Sequence, residues 1–261
     1  MRIGIIGLGT VGEAMKRGLE GEHEIFIHDI GLETSITDVT ENAELTFICV
    51  PTPCDEETGE CDTRIVGDVL RLLPEGSRVV IKSTVIPGTT QRFHEEFPGL
   101  EIACSPEFLR TATAIEDFQS QDVLVIGTHH YDLAELIIES HVKAGVVRNR
   151  GCMVVSPTQA ELVKYAKNSF YSMKVIFANQ FYDYCEDLGE DWSVIKDIIT
   201  KPQMQPVGES HLNAIYGENR GFGGSCLPKD TRALLVDLKN RGVDFHLFGA
   251  VLEDNERLRG N

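Results

Sequence analysis

Close to its start the chain reads Arg2-Ile3-Gly4-Ile5-Ile6-Gly7-Leu8-Gly9-Thr10-Val11-Gly12, an apolar run that leads directly into Gly-x-Gly-x-x-Gly and then into an amphipathic segment. This pattern is typical of the first strand, turn and helix of a dinucleotide-binding fold. In such a turn Gly7 permits the sharp bend, Gly9 lets the backbone approach a pyrophosphate, and Gly12 allows the helix to pack closely on the strand. The phosphates of the dinucleotide then lie at the helix N-terminus.

A carboxylate follows the second apolar strand, predicted at residues 25–27, which ends in His28-Asp29. Asp29 lies about 20 residues beyond the glycine turn, the spacing at which a dinucleotide-binding fold reads the ribose 2′-hydroxyl. An acid at this position favours NAD over NADP. The predicted cofactor is therefore NAD, and its predicted contacts in this region are Gly7, Gly9, Thr10, Val11, Gly12 and Asp29.

Short apolar runs alternate with helical patterns through the first half of the chain, as in a βαβ series. This alternation predicts an α/β fold with a Rossmann-type, doubly wound and mostly parallel sheet. The further predicted strands, all expected to be buried, are 45–50, 78–82, 101–104, 123–126 and 152–155.

The pattern changes at Ser156-Pro157-Thr158-Gln159, which combines a capping serine, a proline at the first helical position and a glutamine three residues after the cap. We predict a long helix from here to about residue 189, a short helix at 193–200, a loop at 201–220 and a final helix that runs toward Arg259. The predicted domains are a dinucleotide-binding domain at 1–155 and an α-helical domain at 156–261 with a long terminal helix.

Composition narrows the possible classes of partner. The chain has 24 basic and 41 acidic residues in 261, a formal net charge of −17, which disfavours nucleic acids and anionic membrane surfaces. It contains no apolar run of the roughly 20 residues that a membrane span needs, so we expect a cytoplasmic protein. Its 7 cysteines, odd in number and irregular in spacing, predict neither a disulfide framework nor a metal site.

The second informative stretch is Gly221-Phe222-Gly223-Gly224-Ser225-Cys226-Leu227-Pro228-Lys229-Asp230, a glycine-rich turn that delivers a cysteine to a predicted helix start. A helix N-terminus stabilises the thiolate, which is the reactive form of cysteine. Lys229 adds a nearby cation. Asp230 lies one helical turn beyond Cys226, where a carboxylate can orient a water molecule or carry a proton.

This decapeptide resembles the active-cysteine motif of the nucleotide-sugar 6-dehydrogenases, the UDP-glucose and GDP-mannose dehydrogenase family, in which Phe usually stands in place of Leu227. The resemblance implies an NAD-dependent oxidation of a primary alcohol to a carboxylate in two hydride transfers. It also implies that Cys226 holds the aldehyde first as a thiohemiacetal and then as a thioester. The default substrate by family frequency is UDP-glucose.

Other segments resemble the same family, so that the resemblance covers nearly the whole chain. The first, Val50-Pro51-Thr52-Pro53, follows a predicted strand at the sheet edge where ligands bind. In the second, 82–90, the resemblance implies that Thr84 orders a water molecule and contacts the cofactor. In the third, 105–110, it gives Glu107 the place of the general base. The remaining implied contacts are Val50, Pro51, Thr52, Thr84 and Lys229 for the cofactor, and Glu107, Phe108, Leu109 and Gly223 for the substrate.

Lys164 and Asn168 are spaced i to i+4 in the predicted long helix and therefore share a face. A lysine beside an alkoxide stabilises its charge, and an asparagine donates a second hydrogen bond to the same oxygen. The surrounding segment resembles the substrate-facing helix of the family. The same spacing occurs in β-hydroxyacid dehydrogenases, so the pair alone does not select the substrate.

Three departures from the family pattern leave the function open. Thr111 stands where relatives usually have a second glutamate, which predicts slower thioester hydrolysis. Pro206 lies in a segment where relatives usually have an arginine that reaches a neighbouring subunit's sugar. Arg220, just before the cysteine turn, is the candidate substitute for that arginine. The chain also reaches Asn261 without the family's nucleotide-sugar-binding domain.

Three alternatives follow from these departures: a shortened piece of a longer enzyme, a natural short form, or a non-catalytic protein that binds NAD. A β-hydroxyacid dehydrogenase acting on a small acid is a further alternative. The terminal helix forms dimers in relatives, so we predict a homodimer through an exposed apolar stripe. The stripe consists of Leu234, Leu235, Leu238, Phe245, Phe248 and Val251.

Overall fold

The structure is a computed structural model that describes residues 1–147, 151–204, 208, 211–242 and 246–260. The chain divides into two compact units. The first comprises Met1–Pro53 and Cys61–Lys164, and the second comprises Cys54–Glu60 and the chain from Tyr165 onward. The division falls inside the long helix rather than at its start, and the assignment of functional domains at residue 155 stays a prediction.

The first unit is built on a seven-stranded sheet with the strand order β2-β1-β3-β4-β5-β6-β7. Its strands are β1 (Arg2–Ile6), β2 (Glu24–His28), β3 (Leu45–Ile48), β4 (Arg78–Ile81), β5 (Glu101–Cys104), β6 (Leu124–Gly127) and β7 (Cys152–Val155). Its helices are α1 (Thr10–Leu19), α2 (Ile36–Asn42), α3 (Arg64–Arg71), α4 (Thr89–Glu96), α5 (Ala114–Gln119), α6 (Tyr131–Lys143) and the first turns of α7 (Pro157–Leu188).

The neighbouring strands of this sheet are parallel except for β5 and β6, which are antiparallel. This confirms the predicted mostly parallel, doubly wound sheet. Side chains alternate between two apolar clusters, one containing Ile3 and Phe47 and the other containing Ile6 and Ile48. Because β2 and β3 flank β1 on opposite sides, the strand order reverses at β1, and ligands of such folds bind beyond the strand ends at that point.

Strand β7 corrects one expectation, because the sequence predicts that it is buried. Met153 and Val154 are 56% and 47% exposed. Among the described strands β7 pairs with β6 alone and lies at the edge of the sheet, where its side chains have same-face neighbours on one side only.

The second unit is mainly helical and contains the rest of α7, with α8 (Trp192–Ile199), α9 (Leu227–Asn240) and α10 (Leu247–Arg259). Two short strands, β8 (Ile215–Tyr216) and β9 (Asn219–Arg220), pair antiparallel just before the glycine-rich turn. None of the helices among the described residues combines the length and apolar character needed to cross a membrane.

The predicted single terminal helix is wrong, because α9 and α10 are separate helices. Helix α9 is capped at Arg241, and Gly242 follows with a positive φ of 71°, a conformation that ends helices. The predicted exposed stripe is wrong as well, since Phe248 and Val251 are buried, and Val251 packs against Ile176 and Phe222. The other stripe residues are partly buried Leu234, Leu235 and Leu238, and Phe245, which lies outside the described residues. The homodimer itself stays a prediction.

Candidate active site

The glycine turn at the end of β1 has the geometry that its sequence predicts. Gly7 adopts a φ of 95°, and its amide donates to the His28 carbonyl at 2.8 Å. A Cβ atom at Gly12 would lie 1.9 Å from the Gly7 carbonyl oxygen, so only glycine lets α1 approach the turn this closely. A Cβ at Gly9 would meet no atom within 4 Å, which leaves open space beside the backbone.

Asp29 is tied to the same turn. Its Oδ2 accepts the Leu8 amide at 2.7 Å, and its Oδ1 accepts the Gly31 amide at 3.3 Å. The hydrogen bond from Leu8, supported by that from Gly31, holds the pKa of the Asp29 carboxyl below its ordinary value against the opposing effect of burial. The carboxylate is therefore ionised and retains lone pairs that suit ribose hydroxyls.

These residues fit a dinucleotide. The open space beside Gly9 admits a pyrophosphate, and the first-turn amides of α1, at Thr10 and Val11, have no carbonyl partner within the helix.

The loops that follow β3 and β4 are held together at the same sheet edge. The Thr52 hydroxyl donates to the Thr84 carbonyl at 2.7 Å, and the Ser83 hydroxyl donates to the Val50 carbonyl at 2.6 Å. Pro51 is exposed between them, and Thr84 is half-buried. Val50, Pro51 and Thr52, all predicted cofactor contacts, thus share the loop after β3. The predicted contact Thr84, in the loop after β4, is hydrogen bonded to Thr52.

A buried ion pair lies at the ends of β4 and β5. Lys82 Nζ is 3.0 Å from Glu107 Oε2, with the two side chains 0% and 5% exposed. Glu107 Oε1 accepts the Phe108 amide at 2.9 Å, and Lys82 also donates to the Ser105 hydroxyl at 3.4 Å. The sequence predicted a functional role for Glu107 but not for Lys82. The feature that could have indicated Lys82 is its position as a lysine at the end of an apolar strand.

The pair fixes the ionisation of Glu107. Burial alone raises the pKa of the Glu107 carboxyl, but the Lys82 charge and the hydrogen bonds from Phe108 and Lys82 outweigh it and hold that pKa below its ordinary value. The carboxylate is therefore charged, although almost no water reaches it.

Lys164 belongs to the same unit and reaches the same residue. Its Nζ donates to the Glu107 carbonyl oxygen at 2.7 Å and lies 5.7 Å from the centre of the Phe108 ring. The first unit thus brings together Lys82, Glu107 and Lys164. Leu109 is partly buried against the apolar cluster that contains Ile3 and Phe47.

In the second unit Cys226 occupies the N-cap position of α9, as predicted from its sequence context, and its side chain is exposed. Pro228 lies in the first helical turn, where its missing amide hydrogen costs nothing. The Asp230 amide donates to the Cys226 carbonyl at 2.8 Å. The thiol is therefore accessible at a helix start, where negative charge is stabilised.

Asp230 is buried between two polar neighbours. Its Oδ1 lies 2.7 Å from Lys229 Nζ, and its Oδ2 accepts the Asn168 side-chain amide. Asn168 and Asp230 are 6% and 2% exposed. Since an amide has two N–H donors, Asn168 can hold Asp230 with one and a ligand oxygen with the other.

Two asparagines that sequence reasoning missed hold the glycine turn in place. Asn255 in α10 accepts the Phe222 amide at 2.6 Å and donates to the Phe222 carbonyl at 3.0 Å. Asn179 in α7 accepts the Gly221 amide at 3.3 Å. The available signal was a polar residue among the apolar positions of each helix.

Arg220 is engaged in the same region. Its guanidinium pairs with Asp183 at 2.8 Å and hydrogen bonds to Asn179. Its role as the substitute arginine stays a prediction. Gly223 is covered by Arg259, since a Cβ there would lie 2.7 Å from the guanidinium. Thr111 is exposed, and Pro206 lies outside the described residues.

Family models match most of the chain. The NAD binding domain of the UDP-glucose/GDP-mannose dehydrogenase family matches residues 18–143, and the central domain of that family matches residues 158–257. The chain belongs to the UDP-glucose/GDP-mannose dehydrogenase family. This confirms the predicted family, and the NAD binding domain confirms the predicted cofactor.

Individual relatives agree with this assignment. The UDP-glucose 6-dehydrogenase of Rickettsia felis is 34% identical over 85% of this chain and 49% of its own length. The GDP-mannose 6-dehydrogenase of Pseudomonas aeruginosa is 28% identical over 98% of this chain and 68% of its own length. A UDP-glucose dehydrogenase structure from Pyrobaculum islandicum aligns with a TM-score of 0.82 at 29% identity, over 98% of this chain and 68% of that chain. The chain spans about half the length of the first curated relatives it matches.

Proposed function

We propose that this chain carries out the NAD-dependent, four-electron oxidation of a nucleotide-sugar 6-hydroxyl to a carboxylate. The observation that carries the proposal is the exposed Cys226 at the N-cap of α9, followed one turn later by the buried Asp230 that Asn168 and Lys229 contact. An oxidation that stops at a carbonyl needs no thiol in such a place. An oxidation that proceeds to an acid gains from holding the aldehyde covalently.

The cofactor contacts proposed are the glycine turn, Asp29 and the loops at Val50 and Thr84. When bound, NAD supplies the hydride acceptor for both oxidation steps. The amides of the turn and of the α1 N-terminus bind its pyrophosphate, and the ionised Asp29 accepts hydrogen bonds from its ribose.

In the covalent step the Cys226 thiolate attacks the aldehyde carbon. A C–S bond forms, and the carbonyl π electrons move to the oxygen, which becomes an alkoxide. The Lys164 ammonium and the second N–H of Asn168 stabilise that alkoxide. Loss of hydride from the thiohemiacetal then gives the thioester.

Hydrolysis completes the proposed reaction. A water molecule oriented by Thr84 and Asp230 attacks the thioester carbon, its proton passes to Glu107, and the C–S bond breaks to return the thiolate. In total the alcohol and one water lose two hydrides and release three protons, which leaves a carboxylate. The exposed Thr111 supplies no second carboxylate for this step.

The proposed substrate is UDP-glucose, which is named for relatives such as those of Rickettsia felis and Bacillus subtilis. GDP-mannose, named for the Pseudomonas aeruginosa relative, is the alternative. The stoichiometry of the reaction tests the proposal. Two NADH formed for each UDP-glucose consumed are expected. One NADH would indicate a simple alcohol oxidation of the β-hydroxyacid dehydrogenase type, and none, with NAD binding intact, would indicate a non-catalytic NAD-binding protein.

Replacing Cys226 by serine tests the covalent step. We expect C226S to bind NAD as the wild type does but to form no net acid, because a serine alkoxide is far harder to generate at neutral pH than a thiolate. Acid formation is measured by chromatography of the product. The matched control is Cys152→Ser, in the edge strand β7, which is expected to keep wild-type turnover. Full activity of C226S would refute covalent catalysis.

A further inference from the structure

Lys82 is a buried charged residue to which the proposed reaction gives no role. Its side chain is fully buried at the end of β4, and its ammonium lies 3.0 Å from the Glu107 carboxylate. Desolvating an ammonium and a carboxylate costs several kcal/mol each, and replacing such a pair by apolar residues is often neutral or stabilising. Stability alone therefore does not account for the pair.

The groups that face Glu107 from each surrounding element are Lys82 after β4, His141 in α6, Cys49 after β3 and, at its main-chain oxygen, Lys164 in α7. Burial and the nearby Lys82 charge lower the pKa of His141 to about 4, and burial raises the pKa of the Cys49 thiol to about 12. Both are therefore uncharged at neutral pH. Among the residues that the structure describes, Lys82 is the charged side chain that contacts the carboxylate directly.

Glu107 also links this pair to the proposed reaction. Its carbonyl oxygen accepts Lys164 Nζ at 2.7 Å, while its carboxylate is held by Lys82 and by the Phe108 amide. A shift of Glu107 would therefore move the group assigned to stabilise the alkoxide, together with the group assigned to accept the proton of water.

We propose that Lys82 is a positioning residue, whose buried ammonium fixes Glu107 so that its carbonyl orients Lys164 and its carboxylate stays ready to take up a proton. This inference rests on the proposed function. Without the Lys82 charge, the effect of burial on the Glu107 carboxyl is opposed mainly by the Phe108 hydrogen bond, and burial then favours the protonated form. A protonated Glu107 has no capacity to accept the proton of the attacking water.

The kinetic test compares K82M and K82R with the wild type over a range of pH, with K143M as the matched control because Lys143 is an exposed lysine of the same unit. We expect kcat of K82M at neutral pH to fall at least tenfold and the acidic limb of its pH profile to move upward by one unit or more. K82R, which keeps the charge, should retain the wild-type limb. An unmoved limb in K82M would overturn the proposal, since a merely structural role lowers kcat equally at every pH.

A second measurement needs no turnover. Infrared difference spectra of K82M at neutral pH should show the carbonyl band of a protonated carboxylic acid, and this band should be absent from the wild type and from K82M/E107Q. Absence of the band in K82M would overturn the proposal. The double variant removes both charges of the buried pair, so it is expected to fold and to provide the reference spectrum without the Glu107 carboxyl. Slow turnover is expected of the 261-residue chain, so the result that would refute the proposed function is a wild type that binds NAD but forms no NADH at high chain concentration. The infrared spectra need no turnover and would still decide the role of Lys82.

Discussion

The Asp29 carboxylate is hydrogen bonded to the glycine turn and is the predicted partner of the NAD ribose. Because it already accepts the Leu8 and Gly31 amides, its position is set before any ligand arrives. Replacing Asp29 by alanine should weaken NAD binding by about 1–3 kcal/mol, the cost of leaving hydrogen-bonding groups unsatisfied. Calorimetric titration measures this loss, with the exposed Glu33→Ala as the control. Unchanged affinity in D29A would contradict the ribose assignment.

Individual residues could be predicted from the sequence where a local motif sets their geometry. Gly12 is an example, because the clash that excludes any side chain there involves Gly7, only five positions away. The partner of Glu107 could not be predicted in this way. Lys82 and Glu107 meet because β4 and β5 are neighbours in the sheet, and strand order is a property of the whole unit.

The same limit applies to Asn179 and Asn255. Asn179 lies in α7, far before the turn in the chain. Asn255 lies in α10, beyond the break between α9 and α10. A buried asparagine is recognisable as unusual in a sequence, but its partner is set by packing between helices.

At the scale of elements, the β1 turn and α1 give a matched pair of substitutions. Gly12→Ala should lower the free energy of unfolding by about 2–4 kcal/mol, because its Cβ would lie 1.9 Å from a backbone oxygen. Gly9→Ala should change it by less than about 1 kcal/mol, since its φ of −68° suits alanine and its Cβ meets open space. Gly9→Ala should instead weaken NAD binding at least tenfold, about 1.4 kcal/mol, by occupying the space of the pyrophosphate.

Denaturant unfolding and NAD titration of the two variants provide the measurements. Equal losses of stability in both variants would contradict the distinction between the packing glycine and the cofactor glycine. Tight NAD binding by Gly9→Ala would show that the pyrophosphate does not approach this part of the turn.

Elements with strong internal periodicity were predictable, and their interruptions were not. The long helix predicted from residue 156 to about 189 is observed as Pro157–Leu188. The break between α9 and α10 escaped prediction because a single glycine, Gly242, is tolerated inside many helical patterns. The exposure of β7 escaped it because an apolar run does not reveal whether a strand lies inside a sheet or at its edge.

At the scale of the whole molecule, the two units carry different parts of the proposed chemistry. The first holds the cofactor residues with Lys82, Glu107 and Lys164, and the second holds Asn168, Asp230 and Cys226. A short segment after the β3 loop, Cys54–Glu60, belongs to the second unit although the chain on either side of it belongs to the first. Replacing a cofactor residue of the first unit, such as Asp29, should therefore weaken NAD binding, whereas replacing Cys226 in the second unit should leave NAD binding intact.

The last prediction concerns the 261-residue chain by itself. Its curated relatives are about twice as long, and a substrate's remote groups supply binding energy that positions the reacting part. We expect the chain to bind NAD at ordinary micromolar strength, about −8 kcal/mol, because the glycine turn, Asp29 and the loops that serve the cofactor all lie within one unit. We expect it to bind and oxidise UDP-glucose very poorly.

Calorimetry with NAD and with UDP-glucose, followed by NADH formation at high chain concentration, measures both halves of this expectation. D29A is the control for cofactor binding, and C226S is the control for turnover. Robust oxidation of UDP-glucose would contradict the second half, and it would mean that the two units, alone or in a dimer, already provide the nucleotide site. Failure to bind NAD would contradict the first half and would place the fault in the turn at Gly7–Gly12 rather than in the substrate site.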